Sequence, residues 1–140
     1  MQIQMIHPTQ VAEVWLEAAP ILKPAMLESG DRSSMPDILN RLLNNELTLW
    51  LAVNDDGVIV GTSASRVTDY ARTRLLTVEL VAGKDLDTWI DPMHEELKKW
   101  AILADCDGLE LYGRKGWERR LRNYNWKPTG IIMELRFDER

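Results

Sequence analysis

The stretch LTLWLAVNDDGVIVGTSASRVTDYARTRLLTVELV (residues 47–81) contains three strand patterns separated by two turns. Apolar residues alternate over 47–53, which is typical of a strand with one buried face. NDDG (54–57) is a strong hairpin signal because Gly57 can adopt a positive φ. A return strand follows over 58–68, in which Gly61 is a candidate bulge, and the third strand covers 74–81. The stretch therefore predicts an antiparallel meander.

Two helical patterns precede the meander. Apolar residues recur at helical spacing from Val11, and Pro20 is expected to interrupt this first helix. After a polar loop over 28–34, the sequence predicts a second helix with Ser33 or Ser34 as its cap and Pro36 in its first turn.

Helical periodicity returns after the meander, at Trp89, Met93, Leu97, Trp100 and Ala101. CDGLELY (106–112) predicts a short strand, and its position after a helical crossover makes it parallel to the third meander strand. GWERRLRN (116–123) predicts a short helix. TGIIMELRF (129–137) predicts a last strand with Ile131, Met133, Leu135 and Phe137 on one face.

These patterns predict one α+β domain over 1–140, with helices on both faces of a mixed, mainly antiparallel sheet of five to six strands. The net charge of −5 favours solubility and disfavours a surface devoted to binding nucleic acid. Cys106 is the single cysteine, so the chain has no internal disulfide. No export signal or membrane-spanning apolar run is present, which predicts a cytoplasmic location.

The order of elements resembles that of the GNAT family of acyl-CoA-dependent N-acyltransferases. The resemblance is clearest in EELKKWAILADCDGLELY (95–112), which is similar to the family's central helix and following strand. GWERRLRNYNWKPTGIIMELRF (116–137) is similar to its short helix, aromatic turn and closing strand. Compact divergent domains of this kind also resemble small proteins of bacteriophages and prophages.

The resemblance implies an acetyl-CoA site where the third meander strand separates from the parallel strand. It assigns cofactor contacts to the strand end, at Leu80, Val81, Ala82 and Gly83. Lys84 follows directly and is a candidate phosphate ligand. The alternative for Lys84 is a solvated side chain that pairs with a neighbouring aspartate.

The family's pyrophosphate loop has the pattern Gln/Arg-x-x-Gly-x-Gly/Ala, and it would fall on DLDTWID (85–91), which contains neither glycine nor arginine. Asp85, Asp87 and Asp91 would repel a pyrophosphate and compete for the helix N–H groups. We expect Asp87 or Asp91 to cap the helix instead, with Pro92 in its first turn.

The resemblance also suggests catalytic residues. Glu79 lies where family members often place a general base; the alternative is an exposed strand carboxylate. Leu121 takes the place of the tyrosine that protonates the CoA thiolate in many members, so Tyr124 becomes the candidate donor. Glu110 and Tyr112 on the next strand are weaker candidates.

The segment GRKGWERRLRNYNW (113–126) combines basic and aromatic residues, which can bind CoA phosphates or single-stranded nucleic acid. The alternative is that its aromatic residues are core and its arginines are solvated. We expect His94 to lie on the solvent face of the central helix.

Two hypotheses of function remain. The first is an N-acyltransferase with a degenerate phosphate loop that uses acetyl-CoA and a small-molecule or protein amine acceptor. The second is a catalytically inactive binding or assembly protein of phage type; a nucleic-acid accessory role is a weaker third reading. The first strand or the 129–137 strand would offer a natural homodimer edge.

Overall fold

The computed structural model describes residues 1–30 and 32–137. These residues form one five-stranded sheet in chain order, which contains β1 (Gln2–Ile6), β2 (Thr48–Val53), β3 (Ile59–Asp69), β4 (Arg74–Gly83) and β5 (Gly108–Leu111). Neighbours from β1 to β4 are antiparallel, and β5 is parallel to β4. The predicted meander and the predicted parallel strand are both confirmed.

Four α-helices connect and cover the strands: α1 (Val11–Glu28), α2 (Met35–Leu43), α3 (Ile90–Leu103) and α4 (Lys115–Leu121). Short 3-10 helices occupy Pro8–Gln10, Leu86–Thr88 and Arg122–Tyr124. The buried side chains of α1 and α2 form one cluster with Leu49, Leu51 and Leu80. Those of α3 form a second cluster with Trp50, Leu76 and Val78. The helices therefore cover both faces, and the predicted α+β class is confirmed.

The helix α1 does not end at Pro20, contrary to the sequence prediction, but continues through Pro20 and Pro24 to Glu28. Each proline removes one helical N–H donor. Burial of Leu22 and Met26 in the core offsets this loss and keeps the helix continuous.

The start of α2 agrees with the sequence. Ser34 Oγ accepts from the backbone N–H of Asp37 at 3.2 Å, and the Asp37 carboxylate accepts from the N–H of Ser34 at 2.9 Å. Hydrogen bonding from Ser34 to the carboxylate, that of its backbone N–H foremost, lowers the pKa of Asp37. The capping box fixes the position at which α2 begins.

The strand β4 contains a bulge at Glu79. Ala64 pairs with Leu80 and Ser65 pairs with Val78, so Glu79 is the extra residue of β4. A second irregularity between β2 and β3 falls at Val60, because Ala52 pairs with Gly61 and Val53 with Ile59. It adjoins Gly61, where the sequence suggested a bulge.

The prediction of a last strand over 129–137 is wrong for this structure: none of these residues belongs to a strand. Ile131, Met133 and Leu135 are exposed by 89%, 89% and 82%. The polar side chains contact the loop between α1 and α2 instead, where Arg136 donates to the carbonyl of Gly30 at 2.8 Å. An alternating sequence forms a strand only when it pairs with a neighbouring strand, and within the described residues, 129–136 make no such pairing.

Candidate functional site

The sheet opens between β4 and β5. Pairing of these two strands begins at Leu75 and Gly108 and ends at Val78 and Leu111, while β4 continues to Gly83. The end of β5 pairing therefore coincides with the Glu79 bulge. Beyond it, within the described part of the chain, no strand pairs with the β5-facing edge of β4.

A cavity of about 420 Å3 lies at this opening, beside the second half of α1. Four of the predicted cofactor-contacting residues line it, namely Val81, Ala82, Gly83 and Lys84. Leu80 does not, because its side chain is buried in the core beneath α1 and α2. The other lining residues are Pro20, Ile21, Pro24, Ala25, Glu28, Ile59, Val60, Leu86, Trp89, Arg114 and Trp117.

Trp89 forms the inner wall of the cavity. Its side chain is 1% exposed, and its indole Nε1 donates to the carbonyl of Lys84 at 2.8 Å. The ring lies so close to β3 and β4 that a Cβ at Gly61 would approach it to 2.4 Å and a Cβ at Gly83 to 2.9 Å. The sequence suggested a core position for Trp89, but not that glycines of two strands would make room for it.

The aspartates of the 85–91 loop do not cap α3, contrary to the sequence prediction. Trp89 is the N-cap residue and no side chain caps the helix. Asp87 accepts from Arg120 at 2.7 Å, and the Asp91 carboxylate accepts from the Tyr124 hydroxyl. Two of the three carboxylates are therefore turned toward the segment that follows β5.

Lys84 is exposed, as the alternative for this lysine expected, but it forms no ion pair with Asp85 or Asp87, both of which are described. Asp85 has φ 54 and ψ 44, a left-handed conformation that glycine adopts at lower cost. The loop is thus folded as a glycine-like turn although it contains no glycine.

The Glu79 carboxylate lies between two arginines. Arg41 of α2 donates to both of its oxygens at 2.8 and 2.9 Å, and Arg66 Nε donates to one of them. Burial raises the pKa of Glu79, but the hydrogen bonds from Arg41 and Arg66 outweigh this effect and the net pKa is lowered. Glu79 is therefore ionised at neutral pH and is not the exposed strand carboxylate of the alternative interpretation.

A chain of hydrogen bonds leads from Glu79 and its partners Arg41 and Arg66 across β3, β4 and β5. Arg66 donates to Thr68 at 2.7 Å, and the hydroxyls of Thr68 and Thr77 are 2.6 Å apart. Thr77 donates to Glu110 at 2.6 Å, and Tyr70 donates to the same Glu110 oxygen at 2.6 Å.

Tyr70 and Tyr112 hydroxyls lie 3.3 Å apart, and the hydrogen bond to Glu110 raises the pKa of Tyr70. Sequence analysis singled out Glu110 and Tyr112 but missed Arg41, Arg66 and Tyr70. Arg66 was the detectable signal, because a charged residue within a strand of small and apolar residues needs a nearby partner.

Tyr124 lies outside the cavity lining. Its ring stacks on His94 with centroids 4.2 Å apart. Trp126 Nε1 donates to His94 Nε2 at 3.0 Å, and Leu121 is buried. The prediction that His94 is on the solvent face is wrong: it is half-buried beneath two aromatic rings, and burial lowers its pKa.

Arginines of the basic segment are engaged in ion pairs. Arg114 contacts Glu28 at 2.9 Å, Arg120 contacts Asp87 at 2.7 Å, and Arg122 contacts Glu118 at 3.7 Å. Over residues 1–30 and 32–137, no cluster of three His, Cys, Asp or Glu side chains could hold a metal ion. No helix in those same ranges is long and apolar enough to cross a membrane.

Solved acetyltransferase structures superpose on nearly the whole chain. The chain therefore has the fold of the GNAT acetyltransferases. A ribosomal-protein-alanine N-acetyltransferase from Brucella melitensis biovar Abortus 2308 matches with TM-score 0.70 and 16% identity, over 98% of this chain and 100% of the other.

A predicted acetyltransferase from Clostridium acetobutylicum, solved with acetyl-CoA, matches with TM-score 0.70 and 17% identity over 99% of this chain and 97% of the other. An aminoglycoside N-acetyltransferase in complex with CoA matches with TM-score 0.69 and 11% identity over 98% and 94%. No protein-family model and no curated protein matches the chain.

Proposed function

We propose that this protein is an acyl-CoA-dependent N-acyltransferase with a divergent phosphate loop. The observation that carries the proposal is the β5-facing edge of β4 beyond Val78, with which no described strand pairs and which lies beside the cavity that Val81–Lys84 line. An extended amide-containing chain, such as that of acyl-CoA, can add to such an edge as a strand would. Two of the similar structures, which contain acetyl-CoA or CoA, support this choice of ligand.

The phosphates of acyl-CoA would contact positively charged side chains rather than the backbone of a glycine-rich loop. Lys84 and Arg114 both line the cavity. The ion pair of Arg114 with Glu28 is exposed, with side chains 69% and 40% accessible, so it costs little to exchange for a phosphate contact. Asp87 and Asp91 are already partnered, which reduces their repulsion of an anion.

The reaction would transfer an acyl group to a small-molecule or protein amine in the cytoplasm. The amine nitrogen forms a bond to the thioester carbonyl carbon, the C–S bond breaks, and the amine loses a proton while the thiolate gains one. Glu79 or a water molecule accepts the amine proton. Glu79 can do so only if one arginine contact is released, because both of its oxygens are occupied. Tyr124 would have to leave Asp91 to protonate the thiolate.

A second candidate function is that of a catalytically inactive binding or assembly protein of phage type, which would have the acetyltransferase fold but would not catalyse acyl transfer. The position of Glu79 between two arginines favours it, because this environment stabilises the carboxylate and weakens it as a base. The nucleic-acid reading is weaker, since Arg114, Arg120 and Arg122 already face carboxylates.

Calorimetry with acetyl-CoA distinguishes the candidates. Binding is expected for the wild type and is expected to weaken in Lys84→Glu, whereas Lys99→Glu on the far half of α3 serves as the matched control. At a hundred times Kd, the ligand should stabilise the fold by about 2.7 kcal/mol. Absence of binding at millimolar acetyl-CoA would exclude the enzyme.

Turnover assays with a panel of amines then separate binding from catalysis. Retained binding with loss of turnover in Glu79→Gln would support Glu79 as the base. Binding without turnover of any amine would favour the second candidate.

A further inference from the structure

Glu110 is the centre of a polar cluster on the face of β5 opposite α3. Its oxygen Oε2 accepts from the hydroxyls of Thr77 and Tyr70, each at 2.6 Å, so Oε1 can accept from a ligand. The Tyr112 hydroxyl lies 3.3 Å from that of Tyr70. Tyr70 and Tyr112 are 44% and 46% exposed. These four residues, here called the Glu110 cluster, are therefore open to a small ligand.

In the part of the chain that the structure describes, the Glu110 carboxylate belongs to no ion pair. The guanidinium of Arg66 reaches it only through the hydroxyls of Thr68 and Thr77. Glu79 differs, because both of its oxygens are occupied by arginines. A partly buried carboxylate that lacks a cation is a favourable place for a cation from a ligand.

The chemistry of the Glu110 cluster fits an alkylammonium ion. The carboxylate can accept the N–H donors of such an ion, and the phenol rings of Tyr70 and Tyr112 attract its positive charge. A single carboxylate is too few for calcium or magnesium, which take several oxygen ligands. The net charge of −5 also favours the approach of a cationic ligand.

The Glu110 cluster adjoins the point at which the sheet opens. Pairing of β4 with β5 ends at Val78 and Leu111. Tyr112 follows directly, and its backbone N–H donates to the Val78 carbonyl at 3.4 Å. An extended ligand held by the Glu110 carboxylate can therefore reach along β4 towards the residues that line the cavity.

An ammonium group held by Glu110 cannot itself be the group that is acylated. The carboxylate stabilises the protonated amine and raises its pKa, whereas attack on a thioester requires the neutral amine. A ligand anchored in this way needs a second amine to react. The Glu110 cluster thus fits a ligand with two amino groups, of which one stays charged.

We propose that the Glu110 cluster binds the non-reacting ammonium group of a diamine acceptor. This inference rests on the proposed acyltransferase function and names its substrate class. The second amine loses a proton to Glu79 or water and forms a bond to the thioester carbonyl carbon, while the C–S bond breaks and the thiolate gains a proton. The product is a monoacylated diamine, because its amide end carries no charge that could bind at Glu110.

Calorimetry with hexamethylenediamine, in the absence of acetyl-CoA, tests the ammonium site. The wild type is expected to bind, and Glu110→Gln is expected to bind about tenfold more weakly, because the charged partner is lost. Asp69→Asn is the matched control: it removes a negative charge beside Tyr70 from an ion pair with Arg74, and should keep the wild-type affinity. No binding to the wild type, or equal weakening in both variants, overturns the proposal.

Two substitutions of Tyr112 test the contribution of its ring. Tyr112→Phe keeps the aromatic face and should retain the affinity for hexamethylenediamine, whereas Tyr112→Leu should lower it about threefold. Equal affinities in the wild type and both variants would place the ligand elsewhere and overturn the proposal.

Turnover with acetyl-CoA separates this inference from the proposed function. Hexamethylenediamine should have a kcat/KM about tenfold above that of hexylamine, and this advantage should disappear in Glu110→Gln. Mass spectrometry should show only the monoacetylated product. Equal turnover of the two amines overturns the diamine acceptor and leaves the acyltransferase. Diamine binding that depends on Glu110, without any binding of acetyl-CoA, removes the acyltransferase and its acceptor but leaves the ammonium site.

Discussion

The ring of Trp89 lies against Gly61 so closely that no side chain can be added there: a Cβ on Gly61 would come within 2.4 Å of ring atom Cε2. The tryptophan precedes α3, whereas the glycine belongs to β3. Their contact therefore determines how closely the start of α3 approaches the sheet and how much space remains in the neighbouring cavity.

Gly61→Ala should destabilise the protein by about 1–3 kcal/mol, because the buried and hydrogen-bonded Trp89 ring cannot move aside without strain. Urea denaturation measures this change. Gly116→Ala is the control, since a Cβ there meets no atom within 4 Å and alanine favours the helix. Equal effects of the two substitutions would contradict the packing of Trp89 on Gly61.

Glu79→Gln should destabilise the protein by about 1–3 kcal/mol at neutral pH, because charge-assisted hydrogen bonds from Arg41 and Arg66 are lost. Glu79 has a lowered pKa in the folded state, so its stabilisation is present above its ordinary value of 4.5 and is lost as the pH falls through the folded pKa. The difference between wild type and variant should accordingly shrink in acid. Denaturation midpoints of the wild type and of Glu79→Gln, measured across this pH range, test whether the stability difference shrinks.

Glu17→Gln, at an exposed position on α1, is the comparison for that substitution and should change stability by less than about 0.5 kcal/mol. If Glu79→Gln changed stability as little as Glu17→Gln, the arginine contacts would contribute nothing to the fold.

His94 should make the protein less stable in mild acid. Its pKa is lowered in the folded state, chiefly by burial, so folding favours the neutral ring, and this contribution is lost as the pH falls below 6.5. Protonation also gives Nε2 a hydrogen where it accepts one from Trp126. Asp91 and Glu95 oppose this shift, and Lys98 supports it.

Denaturation at about pH 7.5 and about pH 5.5 tests the role of His94. His94→Gln should lose less stability than the wild type between these values. His7→Gln, which changes the other histidine of the sequence, should retain the wild-type pH dependence. Identical losses in wild type and His94→Gln would exclude His94 as a source of acid sensitivity.

Asp85→Gly should strengthen acetyl-CoA binding about fivefold, if the ligand occupies the cavity as proposed. The substitution removes one negative charge beside the phosphates, whose repulsion is worth about 1 kcal/mol. Glycine also adopts the left-handed backbone at this position at lower cost than aspartate. Calorimetry measures the affinity.

Asp105→Gly is the matched control for Asp85→Gly, because Asp105 also has a positive φ of 58 but follows the opposite end of α3. Equal gains in acetyl-CoA affinity in both variants would indicate a general effect of net charge rather than the removal of a carboxylate beside the phosphates.

Sequence periodicity predicted the elements whose partners are close along the chain. The meander from Leu47 to Val81 contains its own pairing partners and turns, so alternation alone was sufficient. Pro20 was misleading because helix-breaking propensity is weaker than the core burial of Leu22 and Met26. The strand pattern at 129–137 was equally clear, but a strand also needs a second strand to pair with it, and a local pattern does not show whether that pairing forms.

The sequence predicted where the site lies in the fold but not which side chains contact one another there. Of the five residues that the resemblance assigned to the cofactor, Val81, Ala82, Gly83 and Lys84 line the cavity, whereas Leu80 is buried in the core. The partners of Glu79 come from α2 and β3, separated from it by 38 and 13 residues, and the partners of Asp87 and Asp91 are each 33 residues away. Contacts at such separations depend on how the elements pack, which one sequence does not reveal.

The single extra residue at Glu79 divides β4 into two segments with opposite phase. Before it, the even-numbered Leu76 and Val78 face the α3 layer; after it, the even-numbered Leu80 faces α1 and α2, and the odd-numbered Val81 faces α3. Deleting this residue would leave the faces of 80–83 unchanged, because Val78 and Leu80 already pair with the consecutive residues Ser65 and Ala64 of β3. The faces of the cavity wall are therefore set by the pairing with β3, and the extra residue adds a carboxylate where Arg41 of α2 and Arg66 of β3 can both bind it.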